Sequence, residues 1–200
     1  MDQGDARNRR TEIPSLDERI RGAVRDGRTD ATLWRDLPED KSQKWAHRAE
    51  RAAHIINRLD VRSVLDLGCF RMSLEAYLRP SIKYIPSDIV PRDARTIVCD
   101  LNADPVPVVE ADIVTALGVL EHLTAPQKVM RQLAEHYPAA IVTYNPLDLV
   151  PVGKARRHFL NDFSSEQVAT LLSADWEIIS SELLDHQILW LLRSRAPLRS

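Results

Sequence analysis

Residues 61–88, VRSVLDLGCFRMSLEAYLRPSIKYIPSD, decide how the rest of the chain is read. Val64, Leu65 and Leu67 make a short apolar strand that runs into Asp66-Leu67-Gly68-Cys69. The pattern predicts a helix over about 73–78 and a second strand over 82–85 that closes on Asp88. Strand, glycine turn, helix, strand and acid together open a nucleotide-type α/β domain. The glycine lets the backbone approach a ligand, and an acid about twenty residues on holds ribose hydroxyls. A dinucleotide fingerprint needs three glycines, whereas Gly68 is followed by Phe70 and Met72. A nicotinamide dehydrogenase is thereby disfavoured.

Downstream, Val90–Arg95 is too short for a helical crossover, so an irregular link leads to a third strand over Thr96–Val98. Asp112–Leu117 reads as a buried fourth strand and Ala139–Tyr144 as a fifth. Between them a helix runs from Thr124 or Ala125 to about His136, with Pro126 in its first turn. Asp162–Glu166 caps a helix that continues through Leu172, and Trp176–Leu184 with Gln187–Leu192 forms a terminal strand pair. Upstream, Ser42–Leu59 is an amphipathic helix. Trp45, Ala49, Ala52, Ala53, Ile56 and Leu59 face the core; Lys44, Arg48, Glu50, Arg51 and Arg58 face water. Residues 1–40 form a polar arm, with one short helix expected over Ser15–Val24. His47 and His54 lack metal-site spacing, so no metal is expected, and Cys69 and Cys99 are expected as buried free thiols.

Four segments carry a family resemblance: DLGC at 66–69, SDI at 87–89, CDLN at 99–102 and LGVLEHL at 117–123. Their order and spacing resemble class I S-adenosylmethionine-dependent methyltransferases, over roughly residues 45–193. The resemblance implies a Rossmann-like three-layer α/β sandwich with a mostly parallel seven-stranded sheet and an antiparallel last strand. Residues 41–200 would be that domain, and 1–40 a loose arm or a lid over the cleft. Where the family has Gly-x-Gly, this chain has Gly68-Cys69-Phe70.

In an open α/β sheet, ligands bind outside the carboxyl ends of the strands. Gly68–Met72, Asp88, Asp100–Asn102, Gly118–His122 and Tyr144–Pro146 all fall at such ends. The resemblance implies S-adenosyl-L-methionine as cofactor, contacted by Asp66, Gly68, Phe70, Asp88, Ile89, Asp100, Leu101, Gly118 and Glu121. Gly68 gives the tight turn, Asp88 accepts from ribose hydroxyls, and Asp100 accepts from the adenine amine beside Leu101. His122, His158 and Tyr144 line the acceptor side; either histidine has a suitable pKa to act as base towards a hydroxyl. A carboxylate acceptor needs no base, and Lys154, Arg156 or Arg157 would then hold the anion. Phe70 either fills the cofactor pocket or turns away from it.

Two functions follow. One is methylation of a small molecule at oxygen or nitrogen, such as a biosynthetic or glycan intermediate. The other is a non-catalytic methyltransferase-like domain with a blocked cofactor loop, serving a protein partner or forming a homodimer. Asp88, Asp100 and Glu121 favour the first; Phe70 and the short second crossover favour the second. A net charge of −2 gives no bulk attraction to nucleic acid or anionic membrane. Leu117-Gly118-Val119-Leu120 also stands where a nucleic-acid amino-methyltransferase has Asn/Asp-Pro-Pro-aromatic. MDQGDARNRR lacks a signal-peptide core and no run of about 18 apolar residues occurs, so a cytoplasmic location is expected.

Overall fold

Apolar runs of two to six residues, each stopped by polar or proline-bearing turns, become the parallel strands of one sheet. The computed structural model describes residues 18, 22, 24–25, 28–35, 39–150, 156 and 158–197. The described arm holds the hairpin β1 (Val24–Arg25) and β2 (Arg28–Thr29), then the single turn α1 (Thr32–Arg35). After α2 (Glu39–Ile56) come β3 (Ser63–Leu67), β4 (Lys83–Asp88), β5 (Ile97–Val98) and β6 (Ile113–Leu117). The chain closes with α3 (Pro126–His136), β7 (Ala139–Tyr144), α4 (Ser165–Ser173), β8 (Trp176–Leu184) and β9 (Gln187–Ser194). The sheet order is β5-β4-β3-β6-β7-β9-β8. Neighbours from β5 to β7 pair in parallel, and β9 runs antiparallel to both β7 and β8. The Rossmann-like α/β expectation holds, including the antiparallel last strand.

Alternation along the strands builds two cores. Val64, Ile113 and Ile141 pack under Ala49, Ala52, Ala53 and Ile56 of α2. The three alanines let that helix lie close to the sheet. Leu65, Val114 and Val142 face the opposite layer, with Val129, Met130 and Leu133 of α3 and Leu172 of α4. Ser164 starts α4 with a capping box: its side chain accepts from the Gln167 N–H, and Gln167 accepts in turn from the Ser164 N–H.

The expected helix over 73–78 is a single 3-10 turn, Glu75–Tyr77. Phe70 and Met72 both take left-handed backbone, with φ of 46° and 54°. Those conformations turn the chain out of the helical path that the residue pattern predicted. The following strand is Lys83–Asp88 rather than 82–85, and α2 begins one turn earlier than expected. The short irregular crossover after Asp88 occurs as expected. Of the helix expected over 15–24, only Glu18, Gly22 and Val24 are described; the first two are helical and Val24 opens β1. Cys69 and Cys99 are free and buried. Among the described residues no helix is long and apolar enough to cross a membrane.

Candidate functional site

The strand order reverses at β3, whose neighbours are β4 and β6. Outside their carboxyl ends lies a cleft of about 730 Å³. Gly68 (φ 62°) and Gly118 (φ 69°) turn the chain out of β3 and β6 in conformations that L side chains rarely adopt. A Cβ at Gly68 would sit 2.7 Å from Val119 Cγ2. One at Gly118 would collide with Arg48 Nη1 and lie 2.8 Å from its Cζ.

Asp88, at the end of β4, is 5% exposed on the cleft wall. Its Oδ2 accepts the Phe70 N–H at 2.8 Å, and its Oδ1 accepts the Val90 N–H at 2.9 Å and Arg92 Nη2 at 3.0 Å. Arg92 also donates from both Nη atoms to the Trp34 carbonyl, at 3.2 Å each. Phe70 does not turn into the core. Its ring stands in the cleft wall, edge-on to Trp45 at 5.4 Å, with the Arg92 and Arg71 guanidiniums 4.9 and 5.4 Å away.

Asp100 is tied to the arm. Thr29 donates its N–H to Oδ2 at 2.6 Å and its hydroxyl to Oδ1 at 2.8 Å, and the Asn102 N–H donates to Oδ1 at 3.0 Å. Asn102 reinforces the tie through Nδ2, which donates to Thr29 Oγ1 and to the His122 carbonyl. Trp34 then lies edge-on to His122 at 4.5 Å, with Phe159 5.4 Å from the same imidazole. β2 and α1 thus roof the cleft.

His122 Nδ1 is 2.9 Å from the His158 carbonyl. A carbonyl only accepts, so Nδ1 carries the hydrogen and Nε2 is the bare acceptor of the neutral ring. Burial pulls this imidazole down to about 4, and the Arg48 charge adds to the effect. Glu121 is fully buried; its Oε1 accepts the Asn145 N–H at 2.9 Å and Nδ2 at 2.6 Å, while Oε2 has no hydrogen-bond partner among the described residues. Burial raises its pKa, and the Asn145 hydrogen bonds and Arg48 charge act against that.

Gly68, Phe70, Asp88, Ile89, Asp100, Leu101, Gly118, Glu121, His122 and His158 therefore meet on one cleft wall. Two expected site residues do not reach it. Asp66 is 4% exposed inside the sheet, accepting from Tyr84 Oη at 2.7 Å and Thr115 Oγ1 at 2.6 Å, and burial pushes it up to about 6. Tyr144 is 1% exposed, with its hydroxyl bonded to Asn161 Oδ1 and the Phe163 N–H. Both strand residues turn into the packed layers instead of outward. Arg156 is not an anion holder either. It is buried, paired with Asp162 at 2.9 Å, and donates to the Asn145 and Val150 carbonyls. Lys154 and Arg157 lie outside the described residues.

Arg48 corrects the water-facing assignment. It lines the cleft against Gly118, with Cζ 5.3 Å from the Trp45 ring centroid. Burial lowers its pKa to about 10, against the pull of Glu121 and Asp66. A signal existed: Trp45, Arg48, Ala49 and Ala52 follow i, i+3, i+4, i+7, so Arg48 lies on the apolar stripe. Trp34 and Arg92 were also missed, and no local pattern marks either.

Solved structures with the same fold are methyltransferases. A proposed O-methyltransferase from Nostoc punctiforme matches with a TM-score of 0.68 and 14% identity, over 90% of this chain and 67% of that one. The 1,6-didemethyltoxoflavin N1-methyltransferase of Burkholderia thailandensis, solved with 1,6-didemethyltoxoflavin and S-adenosylhomocysteine, matches at 0.60 and 15% identity, over 92% of each chain. The small RNA methyltransferase HEN1 matches at 0.62 and 15% identity, over 76% of this chain and 25% of its own. No family model and no curated protein sequence matches the chain. At these identities the likeness establishes the class I methyltransferase fold.

Proposed function

We propose that the chain is an S-adenosylmethionine-dependent methyltransferase acting on a small molecule. One observation carries the reading: a cleft of about 730 Å³ persists beside Phe70, with Gly68, Asp88, Asp100 and Gly118 on its wall. That volume lies within the usual range for ligand sites. When bound, S-adenosylmethionine supplies a sulfonium methyl for in-line displacement. The chain's own part is positioning. Gly68 and Gly118 let backbone approach the ligand. Asp88 Oδ2 takes one N–H and keeps acceptor capacity for a ribose hydroxyl. Asp100 lies at the adenine end beside Leu101, and Ile89 adds apolar contact. His122 offers Nε2 to the acceptor, while Thr29 and Trp34 form a lid that limits water. The negative net charge, which gives no bulk attraction to nucleic acid, supports a small acceptor.

A non-catalytic domain is the second reading, favoured by the three hydrogen bonds already made to the Asp88 carboxylate. Calorimetric titration with S-adenosylmethionine and S-adenosylhomocysteine separates them, using the parent, Asp88→Ala and Phe70→Gly. Binding by the parent that is lost in Asp88→Ala supports the enzyme. No binding by the parent, with binding gained in Phe70→Gly, makes Phe70 a plug and sinks the enzyme reading.

A further inference from the structure

Asp100 is a cleft carboxylate that the arm itself fills. Thr29, carried on the β1–β2 hairpin, gives its N–H to Oδ2 at 2.6 Å and its hydroxyl to Oδ1 at 2.8 Å. One residue thus spans both oxygens and lies across the outer edge of the carboxylate. The Asn102 N–H takes a further place on Oδ1 at 3.0 Å, so three of the roughly four acceptor sites of an ionised carboxyl are taken. Asn102 also fixes the Thr29 hydroxyl, donating from Nδ2 to Oγ1 at 3.0 Å. With these partners in place Asp100 is only 8% exposed.

We propose that residues 28–35 form an autoinhibitory strap in which Thr29 holds the place of the adenine amine on Asp100. This rests on reading the cleft as an S-adenosylmethionine site. The exocyclic amine is an N–H donor, as both Thr29 groups are donors, and it needs the same carboxylate edge. Short hydrogen bonds to a charged acceptor are the strong ones, so the nucleoside meets a rival that is already well bound. That rival is part of the chain and therefore acts at a high effective concentration. The apparent affinity for the cofactor becomes the intrinsic affinity scaled by the fraction of molecules whose strap is released.

Release is local. The strap is a hairpin of two-residue strands followed by the single turn α1, and such pieces open at less cost than the sheet behind them. Trp34 keeps a separate anchor, its carbonyl accepting from both Nη atoms of Arg92, so the roof over His122 does not depend on the Thr29 contact. Arg92 in turn donates to Asp88, which links the second nucleoside-facing carboxylate to the same strap.

The test titrates S-adenosylhomocysteine by calorimetry into the parent, Thr29→Val and Thr29→Ser. Tryptic cleavage after Arg28, an exposed residue of the strap, is followed in parallel by mass spectrometry. Valine keeps the branched shape and the N–H but drops the hydroxyl, whereas serine keeps both donors. The expected result is binding about fivefold or more tighter in Thr29→Val, with Thr29→Ser within about twofold of the parent. Ligand should also speed cleavage of the parent after Arg28. Binding by Thr29→Val alone supports the strap as a complete block. If the parent binds and Thr29→Val binds no tighter, or if ligand slows the cleavage, the strap is overturned and the methyl-transfer reading stands. Residues 28–35 would then close over the nucleoside rather than compete with it. Binding by none of the three overturns the methyl-transfer reading, and the competition falls with it.

Discussion

Replacing Asp66 with Asn should reverse a pH dependence that is built into the sheet. Asp66 sits in β3 at 4% exposure, and burial raises its carboxyl to about 6 despite hydrogen bonds from Thr115 and Tyr84. In the unfolded chain the same group titrates near 3.9. Between those values the native state holds the extra proton, so stability falls as pH rises. Two units at about 1.4 kcal/mol each amount to roughly 3 kcal/mol, lost between about pH 4 and pH 6. His122 works in the opposite sense. Its folded pKa is depressed to about 4, so its contribution is present above the unfolded value of about 6.5 and is lost as pH falls. Buried Glu121, whose pKa is also raised, acts in the same sense as Asp66. The parent's own profile therefore mixes opposing slopes, and the parent-minus-variant difference isolates Asp66. Urea unfolding followed by circular dichroism, at steps between about pH 4 and pH 7, measures it. Asp66→Asn should gain about 2–3 kcal/mol on the parent across that window and then level off. A difference constant to within about 0.5 kcal/mol across the window would refute the assignment of a buried, proton-holding Asp66.

Two further substitutions test the packing that shapes the cleft. Gly118→Ala forces a side chain into φ 69° and against Arg48. It should cost about 1–2 kcal/mol from backbone strain alone, or several degrees in Tm, whereas Gly22→Ala, with nothing within 4 Å of the added Cβ, should leave Tm unchanged. Equal thermal melts for the two variants would count against the glycine-gated position of Arg48. Ser164→Ala removes the N-cap that accepts the Gln167 N–H at 3.2 Å, and should lower Tm by about 2–4 °C for a loss near 1 kcal/mol. An unchanged Tm would mean the capping box adds nothing to α4.

The elements that sequence located best are those specified by neighbours along the chain. Ala139–Tyr144 reads as a strand because AAIVTY is short and apolar and lies between Pro138 and Pro146, and β7 has those ends. Gly68, Asp88, Asp100, Gly118 and His122 were placed on one rim because each follows a strand of the same parallel sheet, and strand ends converge by topology. Residues 73–78 were misread because Phe70 and Met72, just before them, lie in left-handed backbone that a side-chain pattern does not encode. Only the tertiary structure decided which groups those rim residues already serve. Thr29 binds Asp100 across 71 positions, and Arg92 joins Asp88 to the Trp34 carbonyl across 58. Asp66 and Tyr144 were assigned to the site by position, yet their side chains are spent on Thr115, Tyr84, Asn161 and Phe163 inside the layers. Helical and strand periods fix which residues share a face. Which face closes on a cleft, and which distant group satisfies each polar atom there, is set by packing between segments that are far apart in the chain.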